Sequence, residues 1–207
     1  MQENHSSITL LIIDESGSMR QMKNFVEELH SEITSDIIRG IPKYPGVRQF
    51  FECWCFNSTE ITQRTPLMEL LEDSIVPFDF GGCGRTPLLD AIGTAISKLE
   101  SRIKYNPVLA NIHVDVCIVT DGYENHSKEY TYDGIKQMIT HKEKQGWKFS
   151  YYGANHDVKH VGNRLSIIDI NTFEPTKGGI KGVSKSFRSK LIQSKEDYFR
   201  YKKGGRK

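Results

Sequence analysis

Two kinds of apolar segment alternate along this chain. Residues Ile8 to Ile13 form an apolar run interrupted only by Thr9, the pattern of a parallel strand buried on both faces. A turn follows, Asp14 to Ser18. From Met19 the apolar positions Met22, Phe25, Val26, Leu29, Ile33 and Ile37 recur at helical spacing until Gly40 and Pro42 break the pattern. Val47 to Phe56, rich in Val, Phe, Trp and Cys, reads as a second strand. Ile61 to Arg64 reads as a short antiparallel neighbour after the Asn57-Ser58 turn, and Glu69 to Asp73 as a short helix.

Gly81, Gly82 and Gly84 make a flexible loop ending at Thr86-Pro87, a combination typical of a helix cap and first helical residue. Leu88, Leu89, Ile92, Ala95, Ile96, Leu99 and Ile103 continue at helical spacing. A further buried strand, Ile112 to Thr120, runs into Asp121-Gly122. A helix from about Thr131 to Gln145 then leads to a strand over Trp147 to Tyr152. No element is assigned to Gly162 to Lys177, and Gly182 to Ser194 reads as a final amphipathic helix with Val183, Phe187, Leu191 and Ile192 on its buried side. Alternating strands and helices predict an α/β fold: a doubly wound, mostly parallel sheet with helices on both faces and one short antiparallel edge strand. In such sheets sites form at the carboxyl ends of the strands.

Asp14 and Asp121 both fall at such ends. With Ser16, Ser18 and Thr86 they offer two carboxylates and three hydroxyls, with no His or Cys among them. That hard oxygen set suits Mg²⁺, Mn²⁺ or Ca²⁺ rather than zinc or copper. In the D-x-S-x-S spacing, a tight loop leaving a strand turns the residues two and four positions on toward one point, and Gly17 lets the backbone bend. Each piece also has a plainer reading: Ser18 and Thr86 as helix caps, Asp121-Gly122 as an ordinary turn. Five such oxygens at three strand-end loops favour a joint site.

These pieces resemble the metal-ion-dependent adhesion site of the von Willebrand factor A (vWA) domain family, which reads D-x-S-x-S, then Thr, then Asp. The resemblance covers roughly Ser7 to Asp157. The segment Tyr151 to Asp157 is similar to a strand end in stand-alone bacterial and phage members. By position it implies that Ser16 and Ser18 touch the metal directly. Thr86 and Asp121 trade direct for water-mediated contact, and Asp14 stands mostly behind them. It further implies a protein-binding module in which an Mg²⁺ ion takes up an Asp or Glu carboxylate of a partner, with Glu15, Met19, Arg85, Tyr123 and Glu124 around it meeting that partner. On this reading the vWA domain spans residues 1–194. The competing reading is a metal-dependent hydrolase or phosphatase, for which His126, His156 and Glu124 are the nearby bases. No recognisable catalytic spacing accompanies them, so the protein is not expected to be an enzyme.

Composition adds three points. With 37% hydrophobic and 26% charged residues in a chain of 207, one globular domain is expected. No run approaches a membrane span, the first residues do not read as an export signal, and the four cysteines include no C-x-x-C pair. Together these predict reduced thiols in a cytoplasm. The net charge of +2 hides a basic carboxyl end, about +9 from Lys177 onward. Residues 195–207 form a tail that is either frayed in solvent or, through its interleaved aromatics, reaches nucleic acid or an acidic partner.

Overall fold

The computed structural model describes residues 5–109, 112–154, 157–174 and 176–204. Strands β1 (His5–Asp14), β2 (Val47–Phe56), β3 (Ile61–Leu70), β4 (Ile112–Thr120), β5 (Lys148–Gly153) and β6 (Asp169–Thr172) build one sheet in the order β3-β2-β1-β4-β5-β6. All neighbours are parallel except β2 and β3, so the expected α/β class and its antiparallel edge are both present. Every residue of β1 after His5 is buried, because β2 and β4 flank it and helices cover both faces. Alternation divides it: Ile8, Leu10 and Ile12 enter one core, Leu11 and Ile13 the other.

The first core is closed by α2 (Leu88–Tyr105), α3 (Tyr132–Lys144) and α4 (Val158–Arg164). The second is closed by α1 (Lys23–Gly40) and α5 (Lys177–Gly204). Among the described residues no helix is long and apolar enough to cross a membrane. All four cysteines are free; Cys53, Cys55 and Cys117 are buried and Cys83 is exposed.

Four expectations need correction. The antiparallel neighbour is ten residues long, and its strand conformation continues to Leu70, so no helix forms over Glu69 to Asp73. Pro66 and a run of polar residues hid it; both are tolerated because β3 lies at the sheet edge, where one row of backbone groups needs no strand partner. The first helix opens with a 3-10 helix over Gly17–Met22 before α1 begins. The unassigned stretch contains the end of α4 and the short β6, pieces too brief to show a period. Finally, α5 passes through the boundary at 194. Lys195 is buried and donates to Gln49 Oε1 at 2.7 Å, and Tyr198 packs on His113, so these residues belong to the packed helix rather than to a tail.

Candidate functional site

Strand order reverses direction between β1 and β4: from β1 the sheet grows through β2 to one edge, and from β4 through β5 to the other. Loops leaving two such strands diverge to opposite faces and leave a crevice between them. Asp14 ends β1 and Asp121 follows β4, so both stand on that crevice.

Asp14 is fully buried. Its Oδ1 accepts the Ser16 backbone N–H at 2.7 Å and its Oδ2 accepts the Thr120 hydroxyl at 2.6 Å. The first bond folds the loop back toward the strand end; the second ties β1 to β4. Burial, with a smaller contribution from the nearby Asp121, pushes the Asp14 pKa up to about 6. Ser16 and Ser18 then stand side by side, Oγ to Oγ 3.1 Å, and Ser18 Oγ donates to Asp121 Oδ1 at 2.7 Å.

Thr86 reaches the same point from the third loop. A Cβ placed on Gly122 would lie 3.4 Å from Thr86 Oγ1 and 4.0 Å from both Asp14 Oδ2 and Ser18 Oγ, so these three oxygens ring the Gly122 backbone. The expected helix cap at Thr86 is not made: α2 has no side-chain cap, and Pro87 occupies the cap position. Nor does Ser16 cap the 3-10 helix that follows it. The Ser16 and Ser18 hydroxyls face each other and Asp121. Among the described residues no group of three or more His, Cys, Asp or Glu side chains is placed to hold a metal, so softer ligation has no candidate there.

Two of the residues expected to meet a partner do not reach the surface. Glu15 is fully buried, accepting from Gly81 N at 2.9 Å and pairing with Arg64 Nη2 at 2.8 Å. It fastens the glycine loop to the end of β1. Met19 is fully buried in the α1 core. Glu124 is half-buried and occupied: it accepts the backbone N–H groups of Leu89, His126 and Ser127 and the Ser127 hydroxyl. Arg85 and Tyr123 are exposed on the rim, and the Tyr123 hydroxyl accepts from Asp157 N at 2.9 Å. His156 lies outside the described residues.

Three further residues support the site. Thr120 links Asp14 to Gly122, whose N–H it accepts at 3.1 Å. Asn125 takes the Thr86 N–H at 2.9 Å while its own N–H returns to Thr86 O at 3.1 Å. Asp90 accepts three successive N–H groups, from Lys128, Glu129 and Tyr130. All three act through partners distant in the chain, which no local motif encodes.

No family model and no curated sequence matches the chain. Solved structures do. The VWA domain of SpRpn10 matches at TM-score 0.57 and 10% identity, over 85% of this chain and 92% of that one. The vWF domain of the type V pili tip protein Mfa5 from Porphyromonas gingivalis matches at TM-score 0.52 and 9% identity, over 87% and 94%. The pilus adhesin SpaC from Lactobacillus rhamnosus GG matches at TM-score 0.60 and 9% identity, over 92% of this chain and 30% of the adhesin. The fold is therefore that of vWA domains.

Proposed function

We propose that the chain is a metal-dependent protein-binding module. In this reading Ser16, Ser18, Thr86 and Asp121 hold a divalent cation, Asp14 supports them from behind, and the ion takes up an acidic side chain of a partner protein. A bound ion of this kind supplies an electrophilic position that a carboxylate oxygen can fill. The chain's own residues set the remaining terms: only Asp121 presents a carboxylate beside the hydroxyls, so little of the ion's charge is neutralised from within. The supporting observation is the meeting of Ser16, Ser18, Thr86 and Asp121 from three loops around Gly122.

The donor set suits a hard divalent cation such as Mg²⁺, Mn²⁺ or Ca²⁺: the Ser16 and Ser18 hydroxyls and the Asp121 carboxylate, already in mutual hydrogen-bond contact, are all oxygen ligands. The vWA fold, shared with a pilus adhesin and a pilus tip protein, also supports a binding role. The hydrolytic reading loses one of its candidate bases, because the Glu124 carboxylate already accepts from four donors. The nucleic-acid reading loses an aromatic of the 195–207 segment, because Tyr198 packs on His113.

Thermal melts of EDTA-treated protein test the proposal. Mg²⁺ at about a hundred times its dissociation constant stabilises by about 2.7 kcal/mol, a Tm rise of about 5–10 °C for a chain of this size. Thr86→Ala and Ser16→Ala are expected to fold and to lose most of that rise. No response of the wild type to Mg²⁺, Mn²⁺ or Ca²⁺ refutes it.

A further inference from the structure

Among the described residues most arginine side chains are engaged. Arg39 and Arg188 pair with Asp36, Arg48 with Glu69, Arg64 with Glu15 and Glu60, and Arg102 with Glu52, while Arg164 lies over the Tyr132 ring. Arg20 and Arg85 differ. Both are exposed, and neither forms an ion pair or an aromatic contact among the described residues. Both also sit on the loops of the candidate site: Arg20 two positions after Ser18, Arg85 immediately before Thr86.

These two loops are held against each other. Gly17 N donates to Gly84 O at 3.0 Å and Cys83 N to Glu15 O at 2.9 Å. Gly82, at φ +140°, lies so close that a Cβ would be 3.2 Å from Arg20 Cα. Arg85 N is fixed to Ser58 Oγ at 3.0 Å. The backbones that carry the two guanidinium groups are thus placed before any partner arrives, and only the side chains remain to be ordered. Meanwhile the acids of the neighbourhood are consumed: Glu15 by Arg64, Glu124 by backbone N–H groups, Asp14 by Ser16 and Thr120. With a divalent cation in place, the two guanidinium groups add positive charge to this rim, and among the described residues no acid pairs with either of them.

We infer that Arg20 and Arg85 select the partner: the site takes an acidic segment in which the metal-binding carboxylate is accompanied by further Asp or Glu side chains, received by these two arginines. This inference rests on the metal-dependent binding reading. Exposed charge pairs contribute modestly, so two of them should give about a three- to tenfold preference, strongest at low salt.

The test uses two fluorescent octapeptides, one with a single glutamate among serines and glycines, the other with that glutamate inside a run of acids. Anisotropy is read with saturating MgCl2 and with EDTA, for wild type, Arg20→Gln/Arg85→Gln and, as a control on a distant exposed cation, Lys185→Gln. Glutamine keeps the stem of Arg20 that faces Gly82. The expected result is Mg²⁺-dependent binding of both peptides and a preference of at least about threefold for the acidic one. That preference should vanish in the double variant and persist in Lys185→Gln, while the double variant keeps its Mg²⁺ melting response. Equal affinity of wild type for the two peptides, or a preference surviving in the double variant, overturns the inference and leaves the metal reading standing. Absence of any EDTA-sensitive binding overturns both.

Discussion

His30 offers a prediction whose sign and size follow from its surroundings. It lies on α1, is 1% exposed, stacks on Phe78 with ring centroids 4.2 Å apart, and meets Phe51 edge-on at 5.3 Å. Phe78 belongs to the segment that leads from β3 to Thr86, so this stack anchors a loop of the candidate site. Burial pulls the His30 pKa down from 6.5 to about 4. Above pH 6.5 neither the folded nor the unfolded chain carries the proton. Between 6.5 and about 4 the unfolded chain binds it and the folded chain does not, so stability falls as pH is lowered. At about 1.4 kcal/mol per pKa unit, the loss approaches 3 kcal/mol, a substantial part of a typical folding free energy of about 5–15 kcal/mol. Asp14 works in the opposite direction in metal-free protein. Its folded pKa of about 6 exceeds the ordinary 3.8, so the folded state takes up that proton first and gains stability over this window. The raw profile mixes the two, and a difference separates them. Urea unfolding in EDTA from pH 7.5 to 4.5 should show His30→Phe, which keeps a ring against Phe78, gaining about 2–3 kcal/mol relative to wild type as pH falls. Whatever constant offset the substitution introduces at pH 7.5 cancels in that comparison. Parallel profiles for the two proteins would refute the reasoning.

Two further outcomes follow from buried charges. Glu15→Ala should lower stability by about 2–3 kcal/mol in chemical denaturation, less than for a fully buried pair, because Arg64 is one-third exposed and keeps Glu60. It should also weaken the Mg²⁺ response by loosening the glycine loop. Lys195, whose pKa burial lowers to about 8, gives a rise in stability as pH increases from about 8 to 10.5, where the unfolded chain still holds the proton and the folded chain has released it. The rise should approach 3 kcal/mol and be absent in Lys195→Met.

How much of this was legible in the sequence depended on how local each cause is. Val47–Phe56 and Ile112–Thr120 are bounded by turns and filled with apolar residues, and both strands end where the sequence pattern placed them. The helices α2 and α3 carry several turns of 3.6-residue period and were equally readable. By contrast β3 is polar and broken by Pro66. It owes its existence to the edge of β2, with a register that shifts around Cys53. The end of α5 looked like a solvated basic tail because charge density is a local property. The burial of Lys195 depends on Gln49, which is 146 positions away in the chain.

The site divides in the same way. Asp14, Ser16, Ser18 and Asp121 follow from strand boundaries and Thr86 from the glycine loop that precedes α2, and the fold brings the three loops together between β1 and β4, although Thr86 follows a long segment after Leu70 rather than a strand end. The error lay with their neighbours. Once the chain leaves β1 it turns into the 3-10 helix over Gly17–Met22, and neighbouring side chains point to different sides of that turn. Ser16 and Ser18 turn to the crevice, while Glu15 turns inward to Arg64 and Gly81 and Met19 enters the core. Adjacency to a ligand therefore argues against a place on the rim when the neighbour is long enough to reach the interior. Arg20 and Arg85 satisfy the opposite condition: they flank the same loops, are long and charged, and find no acid among the described residues. A buried carboxylate that is already paired shapes the cup, and on the proposed reading an exposed guanidinium that finds no acid among the described residues is what the cup would offer an acidic partner.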